Sequence, residues 1–515
     1  MKSFCIFLVL FTLLVPAACF AQTAQQPNII VIISDDHAYQ TISAYGSALT
    51  QTPGIDRLAK EGALFTNAYV TNSLCGPSRA TFLSGKYSHM NGFKDNDHST
   101  FDFNQDIFVK RLQTAGYQTA WIGKMHLGEN TPQGFDYYNI LPDQGDYYNP
   151  DFISTGGIRT RHEGYVTNII TELSENWLDH RDPSKPFCLV VGHKATHRTW
   201  MPDLQDLGAF DERTFPLPAT FYDNYATRKA AQQQDMTIDK TMQMDYDLKL
   251  FPSREAESKM GAIQRMTPEQ RAKWDAYYDR IKKDFDARKL TGDALVQWKY
   301  QRYIKDYLAT AKSLDRNINA LLSYLDDHDL SKNTIVIYMS DQGFYMGEHG
   351  WFDKRWMYEE SFRTPMVMRY PGVIKPGTTV NDNIMNLDLA PTLLQAGKAT
   401  IPAAMQGTSF LPLLKGQTYT PRKAMYYHYY ENTVHHVSPQ FGIKTGRYKL
   451  IRYYERVEAW ELFDLEKDPQ ELKNVYSDKQ YTKVVTGLKS QLLQLIEQYK
   501  DEDAKKIFLS AAIKN

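Results

Sequence analysis

Runs of apolar, β-branched residues alternate with segments of helical period along the first three quarters of the chain. The predicted strands are residues 28–33, 63–70, 118–122, 187–191 and 333–339. The predicted helices are residues 52–62, 76–83, 108–115, 166–178 and 292–327, and Thr267 opens a further helix with capping-box spacing. Strands that are apolar on both faces and alternate with helices predict an α/β fold, a large and mostly parallel sheet sandwiched by helices.

The pattern changes after about residue 400. Short alternating strands separated by turns are predicted at residues 424–430, 442–444, 447–453 and 460–464, before a helix at 480–499. This pattern predicts a smaller C-terminal α+β domain with an antiparallel sheet. Residues 203–260 are polar without a clear period, as expected of an insertion that shapes access to a site. We therefore expect a catalytic α/β domain over residues 22–400 and a C-terminal subdomain over residues 401–515.

Residues 1–21 have the pattern of a secretory signal peptide. Lys2 precedes an apolar run, and small residues precede Gln22. The run is too short to anchor the chain in a bilayer, and no later segment has the length of a membrane span. We expect export to a bacterial periplasm; lipidation at Cys19 is an alternative that Pro16 disfavours. The formal net charge of −1 provides no basic field for nucleic acid.

Polar residues follow the predicted buried strands directly. Asp35 and Asp36 follow the first strand, and Asp341 and Gln342 follow the strand at 333–339. Parallel strands present their carboxyl ends at one edge, where ligands bind. Three carboxylates and an amide oxygen suit Ca²⁺, and less often Mg²⁺. An isolated Asp-Asp pair after a strand is more often a loop or a helix cap.

Cys75 immediately precedes a predicted helix start at Gly76-Pro77. Free backbone N–H groups and the positive end of the helix dipole favour an anion there. Arg79 lies one turn later on the same face, and its planar fork fits a tetrahedral oxyanion. The alternative is that Cys75 is a small buried hydrophobic residue and Arg79 a surface charge.

The sequence Cys75-Gly-Pro-Ser-Arg79 followed by Ala-Thr-Phe-Leu-Ser-Gly-Lys-Tyr87 resembles the signature of the formylglycine-dependent sulfatases. Further blocks look like that family in the expected order: residues 27–36, 123–128, 340–350 with Lys354, and 461–469. The resemblance implies an alkaline phosphatase-like fold. It also implies that a maturase oxidises Cys75 to formylglycine.

The resemblance assigns roles by position. Asp35, Asp36, Asp341, Gln342 and the modified Cys75 would bind Ca²⁺, and the groups around the sulfate would be Arg79, Lys124, His126, His197 and Lys354. A hydrated aldehyde attacks sulfur, His197 protonates the leaving oxygen, and His126 takes the proton that regenerates the aldehyde. Two positions depart from the family pattern: Met125, where Trp is common, and Gln342, where Asn or His is common.

The Cys-Gly-Pro-Ser-Arg form and the block from Lys194 to His197 look like the branch that acts on 6-O-sulfated N-acetylglucosamine. The loop with His435 and His436 also looks like that branch, and these two histidines would contact sugar hydroxyls. Asp97 and His98 are weaker candidates of the same kind. We therefore expect an exported sulfatase whose substrate is a heparan-type or mucin-type oligosaccharide.

Three alternatives remain at this point. One is a sulfatase that acts on another position or sugar, such as a 2-O-sulfated uronic acid. A phosphate or phosphonate ester hydrolase of the same superfold generally uses Thr or Ser and two metals, and the chain offers one cluster of metal ligands. An unmodified Cys75 would leave a glycan-binding protein without catalysis.

Overall fold

The computed structural model describes residues 26–128, 130–433 and 435–513. The predicted signal peptide and Cys19 lie outside the described residues. No helix in the described part of the chain is long and apolar enough to cross a membrane.

Eighteen strands and fifteen α-helices make up the described chain. The strands are β1 Asn28–Ser34, β2 Ala63–Phe65, β3 Ala68–Tyr69, β4 Gln118–Lys124, β5 Tyr137–Leu141, β6 Asp151–Ser154, β7 Arg159–Arg161, β8 Phe187–Gly192, β9 Thr334–Ser340, β10 Tyr345–Met346, β11 Phe352–Asp353, β12 Met366–Arg369, β13 Thr378–Val380, β14 Ile384–Met385, β15 Met425–Tyr429, β16 Gln440–Lys444, β17 Tyr448–Tyr453 and β18 Ala459–Asp464. The helices are α1 Pro53–Glu61, α2 Cys75–Ser84, α3 Ser88–Asn91, α4 Phe108–Thr114, α5 Val166–His180, α6 Lys229–Gln232, α7 Arg254–Ser258, α8 Gly261–Gln264, α9 Pro268–Arg288, α10 Gly292–Asp327, α11 Glu359–Phe362, α12 Leu389–Ala396, α13 Leu411–Leu414, α14 Thr482–Tyr499 and α15 Glu502–Ile513.

Ten strands form the main sheet, in the order β13-β2-β12-β9-β1-β8-β4-β5-β6-β7. Its centre, from β9 to β5, is parallel, whereas β12, β6 and β7 run antiparallel to their neighbours. Apolar side chains of β1 alternate between two buried clusters, one on each side of the sheet. This arrangement confirms the predicted α/β class and explains why these strands are apolar on both faces.

The predicted strand at residues 63–70 is two strands. β2 pairs with β12 and β13 in the main sheet, whereas β3 pairs with β14 in a separate two-stranded sheet. Thr66 and Asn67 separate them, and both side chains contact Asn381. The sequence pattern does not reveal this change of partner, because apolar residues on both sides of Thr66 and Asn67 are buried.

An antiparallel sheet in the order β15-β16-β17-β18 follows the main sheet in the chain, as predicted. Helix α14 packs against three of its strands. The buried Asp501, just before α15, accepts hydrogen bonds from His428 (2.7 Å) and Tyr426 (2.8 Å). The boundary at residue 400 stays a prediction, but the class of this second sheet is confirmed.

Candidate active site

The ends of β1 and β9 bring the predicted metal ligands together. The two strands pair in parallel with Ser34 opposite Ser340, so Asp35 and Asp341 emerge side by side. One carboxylate oxygen from each of Asp35, Asp36 and Asp341 lies within 4.8 Å of the others. All three side chains are buried. Because the strands are parallel neighbours, residues about 305 positions apart share one site.

Burial of three carboxylates at this distance is unfavourable without a positive charge. Burial, together with the neighbouring carboxylates, raises the pKa of Asp36 to about 7 and that of Asp341 to about 6. The amide oxygen of Gln342 is buried with no hydrogen-bond partner among the described residues, while its nitrogen donates to Asp36. An unpartnered amide oxygen beside crowded carboxylates is the donor set that a hard cation such as Ca²⁺ requires, so these residues fit a metal.

Cys75 is the first residue of α2 and is fully buried. Its thiol donates to Asp35 Oδ1 at 3.4 Å, and no side chain caps the helix at Leu74. The N–H of Gly76 instead donates to the amide oxygen of Asn96 at 3.2 Å. Burial raises the pKa of the Cys75 thiol well above its usual range, and the charge of Asp35 adds to the effect. The thiol is therefore protonated and a poor nucleophile.

Arg79 and Lys124 provide positive charge beside the carboxylates. Arg79 donates from Nε to Asp341 Oδ2 at 3.0 Å and from Nη1 to the carbonyl of Lys124 at 2.8 Å. Lys124 forms an ion pair with Asp35 and is fully buried. Although burial raises the pKa of Asp35, the charges of Lys124 and Arg79 hold that pKa well below its usual value.

His126 follows β4 and adopts a left-handed backbone conformation, with φ of 57°. Its Nε2 lies 3.0 Å from the amide nitrogen of Gln144 and 3.4 Å from Asp143 Oδ1, while its Nδ1 is buried without a partner among the described residues. Burial and the charge of Lys124 lower the pKa of His126 to about 4. The ring is therefore neutral at neutral pH and able to accept a proton.

His197 lies on the loop after β8, beside the metal ligands. Its Nδ1–H donates to the carbonyl of Arg198 at 2.6 Å, and its Nε2 lies 3.9 Å from Asp36 Oδ2. Burial and the charge of Lys124 lower the pKa of His197 well below its usual value. The hydrogen bond to Arg198 fixes the ring so that Nε2 faces the cluster.

Lys354 is a third cation beside the carboxylates, in addition to Arg79 and Lys124. Its Nζ lies 2.7 Å from both oxygens of Asp36. Its neighbours Asp353 and Arg355 form a buried ion pair at 2.6 Å, and both have positive φ. The charges of Arg355 and Lys354 hold the pKa of Asp353 below its usual range despite burial. The sequence pattern assigns no role to Asp353 or Arg355.

The four candidate sugar-binding residues are placed differently from one another. Asp97 contacts Thr433. His98 has a side chain 71% exposed, 3.6 Å from Asp95. His435 contacts Glu431 and interacts electrostatically with Asp353 and Arg355. His436 is 57% exposed and 3.5 Å from Asp235. The structure therefore brings His435 towards the Asp353 pair and leaves His98 and His436 largely in solvent.

Several residues of the site carried no signal in the sequence. Gln144 contacts both Lys124 and His126, and its carbonyl accepts from Lys194 at 3.1 Å. It lies with Asp143 on an irregular loop after β5. Asn96 lies on another loop. Loop residues of this kind have no period, so only a structure or an alignment reveals them.

Family models match nearly the whole described chain. The sulfatase model matches residues 27–399, and the model for the C-terminal region of N-sulphoglucosamine sulphohydrolase matches residues 347–498. An N-acetylglucosamine-6-O-sulfatase of Bacteroides thetaiotaomicron is 45% identical, over 96% of this chain and 92% of its own length.

Solved structures agree with this assignment. A structure in complex with its substrate D-glucosamine-2-N,6-O-disulfate superposes with a TM-score of 0.90 and 46% identity, covering 93% of this chain and 99% of the other. A phosphonate monoester hydrolase of Agrobacterium radiobacter has a TM-score of 0.67 at 19% identity, over 92% of this chain and 96% of the other, and shares the fold alone.

Proposed function

Because the chain belongs to the sulfatase family, we propose that it removes the 6-O-sulfate from N-acetylglucosamine residues of sulfated glycans. The observation that carries the proposal is the convergence of three carboxylates and the cations Arg79, Lys124 and Lys354. The similarity to the Bacteroides N-acetylglucosamine-6-O-sulfatase supports the position and the sugar.

Position 75 supplies the nucleophile in this proposal. The buried thiol is protonated, so it serves poorly as it stands. A formylglycine-generating maturase would oxidise Cys75 to an aldehyde, which when hydrated offers a hydroxyl to the sulfur. The maturase must act before the chain is fully folded, because Cys75 is buried within α2.

Ca²⁺ would be held by Asp35, Asp36, Asp341 and Gln342 together with the modified residue 75. The ion would neutralise the carboxylates and polarise the sulfate oxygens. Arg79, Lys124 and Lys354 would share the negative charge of the sulfate group, since each is buried and fixed by a carboxylate.

His197 and His126 would each carry out one of the two proton transfers in the reaction. His197 would protonate the oxygen that leaves with the sugar, because a neutral alcohol departs more easily than an alkoxide. Burial lowers its pKa, so the negative charge of a bound sulfate ester is needed to restore its proton. His126, which is neutral and has a free Nδ1, would accept the proton released at position 75.

The buried pair Asp353 and Arg355 would bind sugar hydroxyls beside the sulfate. Both lie next to Lys354, and Arg355 Nε has no hydrogen-bond partner among the described residues. An unpartnered buried donor on a fixed guanidinium is suited to a hydroxyl oxygen. His435 interacts with both residues and would add a further contact.

Residues 1–21 would direct export, which places the enzyme in a bacterial periplasm where glycan fragments are degraded. The cleavage site and the lipidation alternative at Cys19 are tested together by the mass of the mature N-terminal peptide. Cleavage before Gln22 without a lipid supports the proposal, a lipidated Cys19 would show export as a membrane-anchored lipoprotein, and retention of residues 1–21 would contradict export.

The substrate proposal is tested with a panel of 2-O-, 3-O-, 4-O- and 6-O-sulfated monosaccharides, with sulfate release as the measured quantity. We expect release from 6-O-sulfated N-acetylglucosamine only. Release from another position, such as the 2-O-sulfate of a uronic acid, would overturn the assignment of position. The control is Cys75→Ala, which leaves the neighbouring charges in place and should release no sulfate.

A further inference from the structure

A groove opens directly beside the active site. It has a volume of about 630 Å³, which lies within the range of sugar-sized ligand sites. His126 and Asp143 line one part of it, and Asn96 lines another. Asn96 also accepts the N–H of Gly76, next to the nucleophile position. The groove is therefore continuous with the residues that surround the reacting group.

The groove has a mixed lining. Its apolar side chains include Met125 and Leu127, which follow β4, and Tyr138 and Ile153 of β5 and β6. Its polar groups include those of Asn96, Asp97, Ser99 and Thr100. Apolar side chains with a few hydroxyl and carboxylate groups suit the C–H face and the hydroxyls of a sugar ring. Met125 replaces the larger Trp common in the family and leaves room at this position.

The charge of the groove is opposite to that of the sulfate pocket. Its carboxylate residues are Asp97 and Asp143, and the described residues that line it include no lysine or arginine. The hydrogen bond from His126 lowers the pKa of Asp143 to about 2, so that side chain is an anion. By contrast, Arg79, Lys124 and Lys354 are all at the sulfate end.

We propose that this groove binds the sugar linked to the sulfated N-acetylglucosamine, and that it selects an uncharged hexose over a uronic acid. The inference rests on the proposed function, since it assumes which sugar occupies the active site. A carboxylate in the groove would lie near Asp97 and Asp143, with no cation among the described lining residues to pair with. A hexose hydroxymethyl group at the same position carries no such penalty. Glycans with a neutral sugar next to the sulfated residue are therefore the preferred substrates.

The test uses two disaccharides that differ only in charge. One is 6-O-sulfated N-acetylglucosamine linked to a hexuronic acid, and the other is the same disaccharide with its carboxyl group reduced to the alcohol. We expect kcat/KM to be about tenfold higher for the reduced form, as for a like-charge contact partly screened by water. Equal values, or a preference for the uronic acid, would overturn the inference.

The 6-O-sulfated monosaccharide serves as a third substrate. It distinguishes a failure of this inference from a failure of the proposed function on which it rests. Turnover of the monosaccharide with no discrimination between the disaccharides would refute the groove alone. No turnover of any of the three would refute both proposals.

A pair of variants tests the electrostatic cause. Thr100 lines the groove, and Asn104 is exposed nearby in the chain but outside it. Thr100→Lys places a cation in the groove and should reduce the preference for the reduced disaccharide by several-fold. Asn104→Lys adds the same charge outside and should leave the ratio unchanged. An unchanged ratio in Thr100→Lys, or equal changes in both variants, would contradict the proposal.

Discussion

Replacement of His197 by alanine tests whether this residue protonates the oxygen that leaves with the sugar. The ring is held by its 2.6 Å hydrogen bond to the carbonyl of Arg198, and Nε2 lies 3.9 Å from Asp36. The substitution removes the ring without removing a charge, because burial keeps the free side chain neutral. Lys354 still pairs with Asp36, so that carboxylate keeps its cation.

The expected size of the effect depends on the leaving group. A positioned general acid contributes about 10²- to 10⁴-fold to the rate, or about 3–5 kcal/mol of activation free energy. A sugar alcohol is a poor leaving group and needs that proton, so desulfation of 6-O-sulfated N-acetylglucosamine should fall by this factor. An activated aryl sulfate leaves as a stable phenolate, so its hydrolysis should fall by less than about tenfold.

The assay compares kcat/KM for the two substrates in wild type and variant. The control is His180→Ala, which removes an exposed histidine at the end of α5 and should leave both values unchanged. Equal losses on the two substrates would refute the acid role and assign His197 to binding or to the arrangement of the site.

Three further predictions concern other parts of the site. In Gly76→Ala, the new Cβ would lie 2.5 Å from Phe93 Cε1 and 2.6 Å from Asn96 Oδ1. Urea denaturation should therefore show a loss of about 1–3 kcal/mol in the free energy of unfolding. A loss below about 0.5 kcal/mol would contradict this packing. Removal of Ca²⁺ by a chelator should lower the melting temperature, because bound Ca²⁺ at 100 times its Kd adds about 2.7 kcal/mol of stability; an unchanged melting temperature would contradict the metal assignment. Burial lowers the pKa of His193 to about 3, so the unfolded chain binds more protons below pH 6.5 and stability falls as the pH drops. His193→Gln should reduce that fall by about 1.5 kcal/mol between pH 6.5 and 5, and an unchanged slope would refute it.

The parts of the fold that could be predicted were those with a strong pattern. The central strands are apolar on both faces, so their carboxyl ends had to meet at one edge of a parallel sheet, and Asp35 and Asp341 do meet there. Helix α10 has the predicted bounds, Gly292–Asp327, because its apolar positions keep the helical period over its whole length.

Some of the residues that escaped prediction lie on irregular loops. Gln144 and Asn96 are single polar residues whose roles depend on contacts distant in sequence. The Asp353 and Arg355 pair looks like an ordinary solvated charge pair in the sequence, but the structure buries it beside Lys354. The last two strands of the main sheet, β6 and β7, have four and three residues and are too short to show alternation.

The most direct test of the account is the mass of the peptide that contains position 75, measured on preparations whose specific sulfatase activity is known. The account predicts that activity rises in proportion to the fraction of peptide that carries the aldehyde in place of the Cys75 thiol. A fully active preparation in which that peptide holds only the unmodified thiol would contradict it.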